Sequence, residues 1–302
     1  MLSVIEQIES ARLVCPVTHQ PLVIRDNHLE TKDGLHRYPY VNGVPVLFSD
    51  IQKQKEYLEQ NGGGMHREYL TSAKRNRVKS YFRYLVNLDY RPKGHRTAFS
   101  QVVSAPPPDA LCVSIGGGPT REDPNLCNLN IGAFPNVDVV ADAYDLPYSN
   151  ESVDAVYCEA VLEHLEFPDR AVAEMWRVLK LGGQVFAATP FLQWYHAYPN
   201  HFQNFTLTGQ ERLFARAGFK ILSSGTSVGP TVALWNLVTS YTSTFMPFRP
   251  LKRLTGWLVA IIGILIKPLD LWVNKHPASH YLASGTFVQA MKQIKELDAG
   301  NK

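Results

Sequence analysis

The chain has 302 residues, 45% of them hydrophobic and 19% charged, with a formal net charge of +3. That is long enough for one large domain and a smaller one, and the balance excludes a disordered or fibrous chain. So mild a charge gives no whole-molecule reason to expect a nucleic-acid partner. The segment Met1-Leu2-Ser3-Val4-Ile5-Glu6-Gln7 carries acid early and has no continuous apolar core, so it does not read as a signal peptide. Cys15, Cys112, Cys127 and Cys158 are scattered rather than arranged as a disulfide framework, which predicts a reducing compartment and a cytoplasmic protein.

Residues 1–50 read as a small β-rich module. Its short extended runs, Pro21-Leu22-Val23-Ile24, Arg37-Tyr38-Pro39 and Gly43-Val44-Pro45-Val46-Leu47, are separated by Gly, Pro and Asn. Together with Cys15-Pro16-Val17-Thr18 they resemble the zinc-ribbon-like module of the tRNA methyltransferase activator family. The metal-binding form of that module needs paired cysteines for a tetrahedral thiolate site. Here Thr18 stands at the second position and the next cysteine is Cys112, so the module is expected to hold no metal. His19, His28 and His36 match no ligand spacing and read as surface side chains.

Residues 51–108 read as a linker with a basic helical segment. Gly62-Gly63-Gly64 is a break, and Pro106-Pro107-Pro108 stiffens the approach to the first strand of the main domain. Between them, His66 to Asp89 carries Arg67, Lys74, Arg75, Arg77, Lys79 and Arg83, either a solvated helix face or a patch for phosphate-bearing substrate or anionic lipid. Tyr69, Tyr81, Phe82 and Tyr84 offer a third reading, a lid.

The run from Leu111 to Pro190 organises the chain. Cys112-Val113-Ser114-Ile115 is a buried parallel strand closing on Gly116, Gly117 and Gly118, where missing side chains let backbone approach a ligand. Pro119 to Pro124 is too short for an ordinary crossover helix, so the next strand is expected at Leu126 to Ile131. Further strands are expected at Val137–Ala141, Val153–Cys158 and Gln184–Thr189, with a helical pattern from Pro168 to Leu179. Strands alternating with helices imply a parallel sheet whose ligands bind beyond the carboxyl ends of the strands.

Four spaced motifs in this region resemble the class I S-adenosylmethionine-dependent methyltransferases: Asp142-Ala143-Tyr144-Asp145-Leu146-Pro147-Tyr148, Ser152-Val153-Asp154-Ala155-Val156, Leu162-Glu163-His164-Leu165, and Glu174 to Gly183. The resemblance implies an α/β fold with a Rossmann-like, doubly wound, mostly parallel seven-stranded sheet over residues 109–302, and S-adenosyl-L-methionine as cofactor. It implies cofactor contacts from Gly116, Gly117 and Gly118, from Asp142 to the adenine amino group, and from Ala143 to the ring. Asn130 occupies the place of an acid that accepts from the ribose hydroxyls; asparagine keeps a carbonyl acceptor and loses the charge. Glu159 is read either as orienting the methionine part or the acceptor, or as an ordinary exposed glutamate. Asp142 is alternatively a turn cap, and Asp154 reads as a turn stabiliser.

Past the fifth strand, Phe191-Leu192-Gln193-Trp194-Tyr195-His196 and His201-Phe202 mix aromatics with histidines, a composition suited to an acceptor pocket. His196, His201 and His164 are the candidate bases for an acceptor hydroxyl; methyl transfer needs no metal and no covalent nucleophile. A helix is expected from Thr208 to Gly218, a strand from Phe219 to Ser223, and a last strand within Tyr281 to Met291. Between them lies an apolar helical insertion, about 231–276. Its run Trp257 to Ile266 is broken by Lys267-Pro268, and it admits three readings: a buried or pairing helix, a peripheral membrane contact through 249–273 at the inner face of the membrane, or a span. The expected acceptor is a small-molecule, glycan-linked or lipid-linked compound rather than nucleic acid. The rivals are a non-catalytic cofactor-binding scaffold, a tRNA or protein methyltransferase, and a nicotinamide dehydrogenase. The last lacks its third glycine and a helix for pyrophosphate.

Overall fold

Ser3 opens the described chain with a capping box, its hydroxyl accepting from the Glu6 N–H while Glu6 reaches back, and so starts helix α1 (Val4–Glu9). A computed structural model describes residues 2–41, 43–61, 89–107, 109–118, 120–132, 134–196, 200–246 and 248–293. The basic positions Arg67 to Arg83 and the aromatic positions Tyr69 to Tyr84 lie outside the described residues.

Four strands follow α1: β1 (Leu22–Arg25), β2 (His28–Thr31), β3 (Arg37–Val41) and β4 (Val44–Leu47), paired antiparallel in sequence order. Cys15 is buried in this module, its sulfur 3.0 Å from the Tyr38 hydroxyl and accepting from the Thr18 N–H. The thiol therefore does packing work in a core where free cysteine behaves as a small hydrophobe. After β4 come α2 (Ile51–Asn61) and α3 (Lys93–Phe99), the latter running on through a wide π-type turn, Ser100–Ser104.

The main domain supplies β5 (Cys112–Ile115), β6 (Leu126–Asn130), β7 (Val139–Ala141), β8 (Val153–Glu159), β9 (Leu179–Pro190), β10 (Phe219–Val228) and β11 (Gly285–Lys292). Their order, β7-β6-β5-β8-β9-β11-β10, is the expected seven-stranded sheet. Pairing is parallel from β7 to β9, and β11 inserts antiparallel between β9 and β10. Between β5 and β6 the described residues form only turns, so the first crossover is as short as expected. Helix α4 (Pro168–Val178) starts on proline at its first turn and buries Ala171, Val172, Met175 and Val178 against the sheet. Helix α5 (Leu207–Arg216), capped by Thr206, packs on β10 and β11.

The N-terminal module is continuous with the main sheet. β4 pairs in parallel with β7, Val46 opposite Val140 and Leu47 opposite Ala141, so one sheet of eleven strands runs through both parts. Leu13, Leu47, Leu111, Leu129 and Tyr148 belong to one buried core. Each such large apolar side chain contributes about 1.5–3 kcal/mol when fully buried, so the module is held on by several of them. It covers the β7 edge, which would otherwise offer unpaired backbone groups.

The insertion forms α6 (Pro230–Phe245) and α7 (Arg249–Ile266). Lys267-Pro268 does not stop the helical course: a 3-10 turn, Lys267–Leu269, leads directly into the short helix α8 (Asp270–Val273). Asp270 reaches back from α8 to accept the Thr231 and Val232 N–H groups, capping α6. α6 and α7 pair closely at Gly263, where an added Cβ would collide with the Trp235 indole, whose N–H donates to Val259 O. The pairing part of the first reading of this insertion is thus present, but the helices are not buried: Leu265 is 73% and Trp272 75% exposed.

Candidate active site

Adjacent strands bring the predicted cofactor residues side by side at their carboxyl ends. Gly116–Gly118 follow β5, Asn130 ends β6, Asp142 and Ala143 follow β7, and Glu159 ends β8. Gly116 turns the chain at φ +78°, and its N–H and that of Gly117 donate to Leu129 O. A Cβ at Gly116 would collide with Val161 Cγ2, and one at Gly117 would sit 2.6 Å from Asn128 Cγ. These two glycines are required by the protein's own packing. At Gly118 an added Cβ meets nothing within 4 Å, so its surface is open to a ligand.

Asn130 holds this turn in place. Its Nδ2 donates to Gly117 O at 2.9 Å and its Oδ1 accepts the Gly132 N–H at 2.9 Å. One lone pair of that oxygen is left for a ribose hydroxyl. Asp142 is 8% exposed and does cap a turn, accepting the Tyr144 N–H at 3.1 Å, while its other oxygen pairs with the Lys53 ammonium from α2. A carboxylate has about four acceptor positions, so both contacts leave room for an exocyclic amine. Ala143 is buried beside it.

Glu159 is not an ordinary exposed glutamate. Burial raises its carboxyl pKa, yet Arg91 at 2.8 Å and the Tyr157 hydroxyl outweigh that and hold it below the usual carboxylate range. Arg91 also donates to Ser227 Oγ at 2.7 Å, tying the linker to β10. Lys53 and Arg91 both reach the site from the linker, and nothing in their sequence surroundings signals it. Asp154, expected to stabilise a turn, instead lies in β8, where it accepts the Leu111 N–H and pairs with Lys180.

The three candidate histidines converge. His164 lies in the turn after β8, and its ring centroid is 5.3 Å from that of His196 and 5.8 Å from that of His201; the latter two are 4.3 Å apart. Their hydrogen bonds separate them. His201 is committed at both nitrogens, Nδ1 accepting the His196 backbone N–H and Nε2 bonding Asn204 Oδ1. His164 Nδ1 bonds Asn200 O and His196 Nδ1 bonds Trp194 O. Since a carbonyl only accepts, both Nδ1 atoms carry hydrogen, and in the neutral rings each Nε2 keeps a free lone pair. Burial lowers the His164 pKa, and the neighbouring His196 and His201 add to this. Beneath them lies Glu163, fully buried at 0% exposure, and burial pushes its carboxyl up to about 7.

The aromatic loop meets the helical insertion. A groove of about 620 Å³ is lined by Trp194, Tyr195, Leu237, Val238, Tyr241 and Phe245, almost wholly apolar. Tyr195 stacks on His201 with ring centroids 5.8 Å apart, so the groove opens beside the histidine cluster.

Comparison with known proteins finds similarity over parts of the chain. Residues 123–187 match the sequence profile of a family described as methyltransferase domain. Two chloroplastic proteins of Arabidopsis thaliana, both named uncharacterized methyltransferases, are similar over a segment of comparable length. One is 45% identical over 65 residues, 21% of this chain and 18% of the relative; the other is 48% identical over 63 residues, 20% and 18% respectively. The match therefore spans 18% of the length of each curated relative. Among solved structures, phosphoethanolamine N-methyltransferase 2 of Haemonchus contortus with S-adenosyl-L-methionine is similar at 14% identity and a TM-score of 0.41, over 75% of this chain and 60% of that one. The matched segment 123–187 is thus similar to a methyltransferase domain and lies within the sheet ordered β7-β6-β5-β8-β9-β11-β10.

Proposed function

We propose that the protein transfers a methyl group from S-adenosylmethionine to an amphipathic acceptor, a small molecule with a lipid or lipid-linked glycan part, presented at a membrane surface. The observation that carries this reading is that the apolar groove at Trp194 and Tyr195 is walled by α6, whose packing partner α7 carries further exposed apolar side chains. Leu254, Trp257, Leu258, Ile261 and Leu265 recur at helical spacing and are all exposed, which suits a helix lying in the lipid interface. The stretch Leu254–Val273 is also long and apolar enough to cross a membrane, by length and composition alone. An interfacial helix keeps the groove mouth at headgroup level, where an acceptor's polar end meets the histidines.

The donor carries its methyl on a sulfonium, already activated, so the protein's part is alignment and exclusion of water. Gly116–Gly118 allow close backbone approach, Asp142 accepts from the adenine amine, and Glu159 holds a negative charge near the loop beyond β8. His196 or His164, each with a free Nε2, takes the proton of an acceptor hydroxyl. The test is incubation of the purified chain with labelled donor and separate lipid, sugar, tRNA and protein fractions. Label is expected in the lipid-soluble fraction; label confined to tRNA or protein would overturn the acceptor assignment.

A second reading, a cofactor-binding scaffold without turnover, is favoured by two contacts: Asp142 already paired with Lys53, and Asn130 already bonded at both ends. Tight donor binding with no label in any fraction would decide for it.

A further inference from the structure

We propose that Glu163, His164 and His196 bind a divalent first-row transition-metal ion, with zinc the best chemical match, at the acceptor side of the site. One ligand atom from each of the three lies within 4.8 Å of the others. Two imidazoles and a carboxylate are a common set for zinc with a further position open to water or substrate.

Three independent features support it. Neither oxygen of the Glu163 carboxylate has a hydrogen-bond partner among the described residues, although the side chain is fully buried. A carboxylate removed from water needs a cation or hydrogen bonds to compensate its lost hydration, and His164 Nε2 stands 3.8 Å from Oε1. Next, both histidines donate Nδ1–H to a backbone carbonyl, Asn200 O at 2.5 Å and Trp194 O at 2.9 Å, which directs the Nε2 lone pair outward. That arrangement orients metal-binding histidines in general. Finally, imidazoles bound at a tetrahedral angle through bonds of about 2 Å have ring centroids roughly 5 Å apart; those of His164 and His196 are 5.3 Å apart, with ring planes at 86°. His201 supports the loop rather than binding the ion, since both its nitrogens are engaged.

A metal here would hold an acceptor oxygen beside the aromatic groove. With an ion bound, the Nε2 atoms of His164 and His196 would be occupied, so the ion rather than either imidazole would assist loss of the acceptor's proton. The site itself does not depend on the methyl-transfer reading, and its test uses no methyl donor. The full chain is stripped with a chelator and titrated with Zn²⁺ by calorimetry, then with Co²⁺ as an optical probe. One ion per chain is expected, with Kd below about 1 µM, or about −8 kcal/mol, and visible Co²⁺ absorption of a site with nitrogen and oxygen ligands. Glu163→Gln and His196→Asn should each weaken binding at least tenfold; His276→Asn, outside the cluster, should not. His196→Asn alters a half-buried loop side chain, so the test stands even if Glu163→Gln disturbs folding. Absence of saturable Zn²⁺ binding, or unchanged affinity in His196→Asn, would overturn the site while leaving the methyl-transfer reading intact.

Discussion

Alanine at Gly116 and at Gly118 should have opposite effects on stability and ligand binding, because the two glycines have different reasons to be there. At Gly116 the backbone is left-handed, φ +78°, and the new Cβ would press into Val161 Cγ2. A left-handed residue with a Cβ costs about 1–2 kcal/mol, and forcing extra volume into packed surroundings adds about 1–3 kcal/mol. The sum, roughly 2–5 kcal/mol, is a large share of the ~5–15 kcal/mol that holds a domain folded. Gly118 has neither penalty, and Gly118→Ala should leave stability within about 0.5 kcal/mol of the wild type. Its Cβ points into space where we place the donor, so donor affinity should fall at least tenfold, about 1.4 kcal/mol. Urea unfolding measures the first quantity and calorimetry with S-adenosylmethionine the second. A Gly116→Ala protein that unfolds at the wild-type urea concentration would refute the tight contact, and undiminished donor binding by Gly118→Ala would refute the placement of the ligand.

Asp142→Ala should weaken S-adenosylmethionine binding by about 1.5–3 kcal/mol, the range for a hydrogen bond to a charged group, measured by the same calorimetry. Leu258→Glu with Leu265→Glu should leave the unfolding midpoint nearly unchanged, because both side chains are exposed, while abolishing co-sedimentation with anionic vesicles. His95, buried against Phe186 and Phe287 and bonded to Ser227, has its pKa lowered to about 4 by burial, with Arg91 adding to the effect. Below its unfolded value of 6.5 the unfolded chain binds the proton and the folded chain does not, so stability falls as pH drops from about 6.5 toward 4. The loss reaches about 3 kcal/mol across that window, and urea titrations of His95→Phe should lack this component.

The central strands were legible because strands buried on both faces read as continuous apolar runs: Cys112–Ile115, Val139–Ala141 and Val153–Cys158 need no partner to be recognised. β10 was legible only in its first half. Ser223, Ser224, Gly225, Thr226 and Ser227 have no strand-like apolar pattern, yet they pair along β11, where Gln289 and Thr286 give them polar neighbours. The docking of β4 on β7 is a long-range pairing that local patterning does not encode. The same holds for Lys53 at Asp142 and Arg91 at Glu159, ordinary linker cations until the fold brings them to the carboxyl edge. The sequence marks the histidines only one by one; that they share one cluster over a buried Glu163 depends on the course of the loop after β9. The apolar insertion was visible as composition, but its exposure was not, since a buried helix and a lipid-facing helix use the same residues.

The most direct test of the account is a crystal structure of the full chain grown with S-adenosylhomocysteine. It should show the adenine amine within hydrogen-bond distance of Asp142, the amino-acid end against Gly116–Gly118, and the sulfur facing the loop of His164 and His196. A ligand bound elsewhere, or a crevice closed by the Lys53–Asp142 pair with no ligand in it, would contradict the account.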